Sequence, residues 1–174
     1  MNKEDLRIPE DMEMLFSRPY IKKIHVIIEA VSYVFLIATI IVAAVAVTQI
    51  KGDFITRFGG GGDKDSYGSP MTLFIMPAIM LLTNLSMSLV LHLGSDKMFN
   101  TGFTVNPKRK NIVLCDFTMM IMLIELELAI YSLLTTIVWI MQKGSAIMLL
   151  SMGLTFILFV TIAVLYVIAL RHNK

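Results

Sequence analysis

Four stretches of this chain are too long and too free of charge to form the interior of a soluble domain. Ala30 to Ile50 holds no Asp, Glu, Lys, Arg or His, and neither does Met71 to Leu91. Leu128 to Gln142 is equally clean, preceded by apolar sequence interrupted at Glu125 and Glu127, and Ser145 to Leu170 is the longest such run. About 20 helical residues cross a hydrocarbon core of roughly 30 Å. No water reaches the backbone there, so a crossing segment must satisfy its own N–H and C=O groups, and each run is expected to be a helix. The expected fold is an all-α integral membrane protein, one four-helix transmembrane bundle over residues 1–174. Its spans are placed at about 24–50, 70–93, 112–141 and 146–170, with a polar lead at 1–22 and an outer loop at 51–69.

Composition agrees, since only 16% of residues are charged against roughly 25% in a soluble domain. The basic residues also sort by side. Lys3, Arg7, Arg18, Lys22, Lys23, Lys97, Lys108, Arg109, Lys110, Arg171 and Lys174 fall in the lead, the middle loop and the tail. Lys51, Arg57, Lys64 and Lys143 fall in the first and last loops. Positive residues collect on the cytoplasmic side of a membrane, which puts both termini inside. The lead is polar and reads as cytoplasmic rather than as a cleaved signal peptide. A net charge of +2, distributed this way, gives no reason to expect nucleic acid among the partners. Cys115 is the only cysteine, so an intrachain disulfide is excluded.

The outer loop is the most distinctive segment: Ile55-Thr56-Arg57-Phe58-Gly59-Gly60-Gly61-Gly62-Asp63-Lys64-Asp65-Ser66-Tyr67-Gly68-Ser69. Its glycines admit φ > 0, a conformation expected of Gly68, and Asp63 and Asp65 favour local turns. Ser69-Pro70 reads as an N-cap with proline at the first helical position, and Asn106-Pro107 as a second turn into a helix. Gly144 reads as a helix C-cap, and Trp139 as an anchor at the outer interface. Asp63-Lys64-Asp65 begins like a calcium loop, but Tyr67 and Phe74 stand where oxygen ligands are needed, so a structural turn and no metal is expected.

This loop resembles that of a small bacterial membrane domain of unknown function, found at the N-terminus of SdpI-type bacteriocin-immunity proteins. That family shows a first helix, then I-P-x-H-F-N-x-x-G-x-P-D-x-x-G, then a helix opening with Leu-Pro. Phe58, Gly62, Asp65, Tyr67, Gly68, Ser69 and Pro77 fall in register. Arg57 replaces the family's His, Gly59 its Asn, and Ile55 and Lys64 its prolines, so no role for that His carries over. The resemblance covers Val26 to about Leu93. It implies a bacterial cytoplasmic membrane and a non-enzymatic accessory or immunity-type protein. The implied partners are a membrane-active peptide, another membrane subunit, a second copy of the chain or lipid. Arg57, Phe58, Asp63, Asp65, Tyr67 and Gly68 would meet that partner.

The other reading is a small ion, proton or solute transporter or channel subunit, using acids and amides inside the spans. Glu127, Asn84, Glu125 and Asp116 are its residues, because an ionisable group within a span is a functional hypothesis by default. Glu125 and Glu127 lie some 200° apart on a helix, so at most one is expected to face the bundle interior. The plainer reading is a cytoplasmic vestibule of solvated acids paired with Lys22, Lys23 or Arg109; if the face shared by Asp116, Glu127 and Tyr131 is instead the buried one, Glu127 is the interior acid, with a cation, the Tyr131 hydroxyl or water as partner. Glu125 is expected to reach the headgroups. Thr83, Asn84, Ser86 and Ser88 read first as interhelical hydrogen-bonding groups. His25 and Glu29 are a turn apart but lack the third ligand of a metal site. Met119, Met120 and Met122 read as adaptable packing. No nucleophile–base or phosphate-loop pattern is present, so neither enzymatic activity nor a cofactor is expected.

Overall fold

The computed structural model describes residues 18–52, 54–59 and 65–174, which leaves most of the polar lead and Asp63 outside the described residues. Helix α1 covers Lys23–Gln49, α2 Ile75–Leu93, α3 Lys110–Ile140 and α4 Gly144–His172. Three of these segments are long and apolar enough to cross a membrane: Lys23–Gln49, Pro70–Leu93 and Gly144–His172. At 1.5 Å per residue the 27 residues of α1 extend about 40 Å.

Helix α3 is the 31-residue centre of the bundle. It packs against α1 and α2 on one side and α4 on the other. Helix α4 lies along α3 and has no comparable interface with α1 or α2. Its single fully covered residue is Ala169, while Met148, Leu149, Met152, Phe156 and Phe159 are all exposed. A surface of that kind suits lipid, which gives an apolar side chain nothing to lose by exposure.

The helix entries follow their sequences. The Ser69 hydroxyl accepts from the Met71 N–H at 3.3 Å with Pro70 at the first position, opening a 3₁₀ turn, Pro70–Phe74, that runs into α2. Asn106 does the same for Lys108 at 3.1 Å ahead of α3. Two expectations about glycine fail. Gln142, at φ 57°, is the left-handed residue that ends α3, and Gly144 instead begins α4. Gly144 must be small because a Cβ there would lie 2.6 Å from the Phe58 ring. Gly68 does not have positive φ; a Cβ there would meet Thr56 Cγ2 at 3.0 Å.

The outer loop is not wholly irregular, which departs from an all-α fold. Strand β1 (Phe54–Arg57) pairs antiparallel with β2 (Ser66–Gly68), Phe54 opposite Gly68 and Ile55 opposite Tyr67, with a register irregularity before Arg57. This hairpin is pinned to the α3–α4 turn. Trp139 Nε1 donates to the Ile55 carbonyl at 2.8 Å, and the Ile55 N–H donates to Gln142 Oε1 at 3.1 Å.

Apolar clusters close the two ends of the bundle. At the hairpin end Ala43, Ala46, Phe54 and Leu73 are buried together, with Trp139 against them. At the opposite end Val113, Phe117 and Ala169 pack with Phe103 and Tyr166. Between them, polar side chains such as Ser32, Thr39, Asn84, Thr118 and Glu125 are buried beside apolar ones such as Leu36, Met122 and Ala129.

Candidate functional site

Small hydroxyl residues let α1, α2 and α3 approach closely; among the described residues the buried Ser132, Thr135 and Thr136 hydroxyls of α3 have no hydrogen-bond partner, while others satisfy themselves locally. Ser32, Thr39 and Thr118 each donate to the carbonyl four residues earlier on their own helix. Tyr33 on α1 and Ser88 on α2 share a hydrogen bond of 3.0 Å between their hydroxyls. A second bridge joins the same helices, Glu29 Oε2 to His92 Nε2 at 2.9 Å. The i, i+4 pairing of His25 with Glu29 does not form. His25 Nδ1 accepts from the Lys22 N–H at 3.1 Å, capping α1.

Glu125 faces into this core from α3 and is 0% exposed. Among the described residues, neither of its carboxyl oxygens has a hydrogen-bond partner. Asn84, also 0% exposed, reaches across from α2 and donates from Nδ2 to the Glu125 backbone carbonyl at 3.3 Å. Its own Oδ1 is left without a donor. Three buried acceptor atoms therefore meet no donor where α2 crosses α3. An isolated buried carboxylate costs several kcal/mol unless something neutralises it. A proton or a small cation would neutralise this one.

The expectation that Glu127 is the interior acid and Glu125 the solvated one is corrected. Glu125 is fully buried and Glu127 half-buried, on opposite sides of α3, because α3 is central rather than peripheral. Glu127 turns toward α4, where Thr161 donates to its Oε1 at 2.5 Å; Oε2 has no partner. Thr161 was missing from the sequence reading, although it is one of few hydroxyls in the fourth apolar run. Tyr131, expected as Glu127's partner, instead bonds Ser151 at 2.8 Å. Glu127 and Tyr131 line an apolar groove of about 680 Å³ between α3 and α4. Asp116 belongs to neither acid's surroundings. It pairs with His172 at 2.7 Å near the end of α4.

The end holding both described terminal segments carries a compact polar network. Asp96 accepts from Arg18 at 3.1 Å and Tyr20 at 3.0 Å and pairs with Lys110 at 2.7 Å. Arg18 also donates to the Gly94 carbonyl. The Lys110 hydrogen bond holds the Asp96 carboxyl below its ordinary range, against the effect of partial burial. Burial, then the neighbouring Asp96, pushes the Tyr20 phenol up.

On the hairpin, the residues expected to meet a partner divide by role. Asp65 Oδ1 accepts from the Gly59 N–H at 2.7 Å and holds the turn. Phe58 packs over Gly144, and Gly68 lies under Thr56. Arg57 and Tyr67 are exposed, Tyr67 by 61%. Among the described residues no group of three His, Cys, Asp or Glu side chains is placed to hold a metal ion.

No protein-family model, curated protein or solved structure matches this chain.

Proposed function

We propose that this chain is a four-span protein of a bacterial cytoplasmic membrane, with both termini inside. We read it as a small proton- or cation-handling transporter or channel subunit built around Glu125 and Asn84. The observation that carries the reading is the fully buried Glu125 carboxyl, partnered at neither oxygen, beside the unpartnered Asn84 Oδ1. A stable fold gains nothing from such a group, since an apolar side chain of similar volume would cost less. Retaining it is understandable if the carboxyl exchanges a proton or a cation. The orientation is supported by the basic residues around Arg18, Lys108–Lys110 and Arg171, which gather at the end where Arg18 meets Asp96 and the Asn106 N–H meets Asn173.

The test is flux into liposomes carrying the purified chain, with a lumenal pH dye and a potassium diffusion potential as driving force, repeated with lumenal sodium and potassium indicators. Wild type is expected to pass protons or one of these cations faster than empty liposomes, and Glu125→Gln to abolish that flux while folding normally. Flux indistinguishable from empty liposomes for all three ions would sink the proposal.

The accessory-protein reading keeps one specific support. Arg57 and Tyr67 are exposed on a hairpin fastened to the bundle by Trp139, Gln142 and Phe58. A rigid platform with a cation and an aromatic ring is a suitable docking element for a second membrane protein or peptide. Its test is co-purification from native membranes in mild detergent, with Arg57→Ala/Tyr67→Ala as the control that should lose the partner.

A further inference from the structure

The groove on the other side of α3 has features that the Glu125 site does not use. It runs from Ile137 and Ala146 near the α3–α4 turn to Glu127 and Ile157 near the middle of both helices. At 1.5 Å per residue, Glu127 lies roughly 20 Å from the end of α3. The volume of about 680 Å³ falls in the range that holds a drug-sized molecule, roughly 300–1,000 Å³. The walls are aliphatic apart from Tyr131 and Glu127.

That single acid fixes the chemistry of an occupant. Glu127 Oε1 is taken by the Thr161 hydroxyl, while Oε2 is buried and meets no donor. The Tyr131 ring lines the same end, and its hydroxyl is already engaged by Ser151. A carboxylate oxygen in an apolar slot favours a positive charge by direct attraction, and an aromatic ring in the same lining suits an organic cation. An anion is repelled there, and an acyl chain fills the slot but leaves Oε2 unpaired. The space beside Gly153, which lines the groove, is open: a Cβ there would meet nothing within 4 Å.

We infer that the α3–α4 groove binds apolar organic cations, with the cationic centre at Glu127 and the apolar body along α3 and α4 toward Ala146. The inference is independent of the proton or cation reading of Glu125, because the two acids lie on opposite sides of α3.

Binding of radiolabelled tetraphenylphosphonium to the full chain in lipid nanodiscs, with empty nanodiscs subtracted, tests it. Wild type should bind saturably and in preference to the anionic isostere tetraphenylborate. Glu127→Gln should weaken the cation at least tenfold, and Gly153→Phe should abolish binding by filling the slot. Glu125→Gln should bind as wild type does, whatever happens to its ion flux. Absence of saturable binding would overturn the inference. So would equal affinity for the two isosteres, which marks an acyl-chain slot only, or undiminished binding by a Glu127→Gln protein that melts like wild type. A Gly153→Phe protein that folds and still binds would place the cation elsewhere.

Discussion

Replacing Glu125 by methionine should make the protein more stable. The side chain is 0% exposed and both its oxygens lack donors, so the substitution deletes two unsatisfied polar atoms and keeps an unbranched chain of similar volume. Leaving a buried polar group unpaired costs about 1–3 kcal/mol. Exchanging buried ionic groups for apolar ones of matching size is neutral to stabilising by about 1–4 kcal/mol. In a chain of this length each kcal/mol moves the melting temperature by roughly 2–4 °C. Taking the 1–3 kcal/mol figure, Glu125→Met is expected to melt about 2–12 °C above wild type and to carry no ion flux. Glu125→Gln should fall within about 1 kcal/mol of wild type, since its amide adds a donor for the orphaned Asn84 Oδ1. Cys115 offers the readout: it is the only cysteine and half-buried on α3, so a thiol-reactive fluorogenic dye reports its exposure on heating. A Glu125→Met protein that melts several degrees below wild type would show that the carboxyl makes structural bonds. The argument for a functional acid would then fail.

Asp96 should set an acid limit on stability. Its folded pKa lies below the ordinary 3.8, chiefly through Lys110, so its contribution is complete above the unfolded value of roughly 4 and is lost as pH falls through the folded value. Melting temperature should fall between about pH 5 and pH 3 in wild type, and Asp96→Asn should flatten that slope; parallel slopes would refute the assignment. Gly144→Val forces a Cβ against the Phe58 ring and should cost roughly 1–3 kcal/mol, with partial recovery when Phe58→Ala is added. Lack of recovery in the double variant would mean that the clash lies elsewhere. For topology, Tyr67→Cys in a Cys115→Ser background should react with a membrane-impermeant maleimide on intact cells, whereas Asn173→Cys should react only after lysis. The reverse pattern would invert the bundle.

Periodicity of charge carried most of the fold. Helices stand where the four apolar runs predict them, to within a few residues at each end, and Lys23–Gln49, Pro70–Leu93 and Gly144–His172 are long and apolar enough to cross a membrane, whereas α3, which carries Glu125 and Glu127, is not among those three. The caps at Ser69 and Asn106 were equally legible, being local chemistry. What local chemistry could not supply was which helix lies in the middle. Glu125 and Glu127 were placed by counting around one helix on the assumption of a single buried face. A central helix has two, and that reversed the roles assigned to the pair. The hairpin was obscured by its glycines, and Glu29–His92 by the 63 residues that separate its members. A hint was available in that both lie toward the same end of two antiparallel neighbours.

The one-sided packing of α4 also bears on how the protein is made. Helices α1 to α3 can assemble around the Asn84–Glu125 crossing while α4 is still being synthesised, since α4 lends that crossing nothing. During that interval Glu127 has no Thr161 to bond, and an acid without a partner is costly to release into lipid. The last helix to emerge therefore relieves an exposed charge as it arrives, and its delay or loss would leave an otherwise assembled three-helix unit displaying one acid to lipid. Such a species is a natural target for membrane quality control, so abundance in the cell should depend on α4 more steeply than its small share of the buried core suggests.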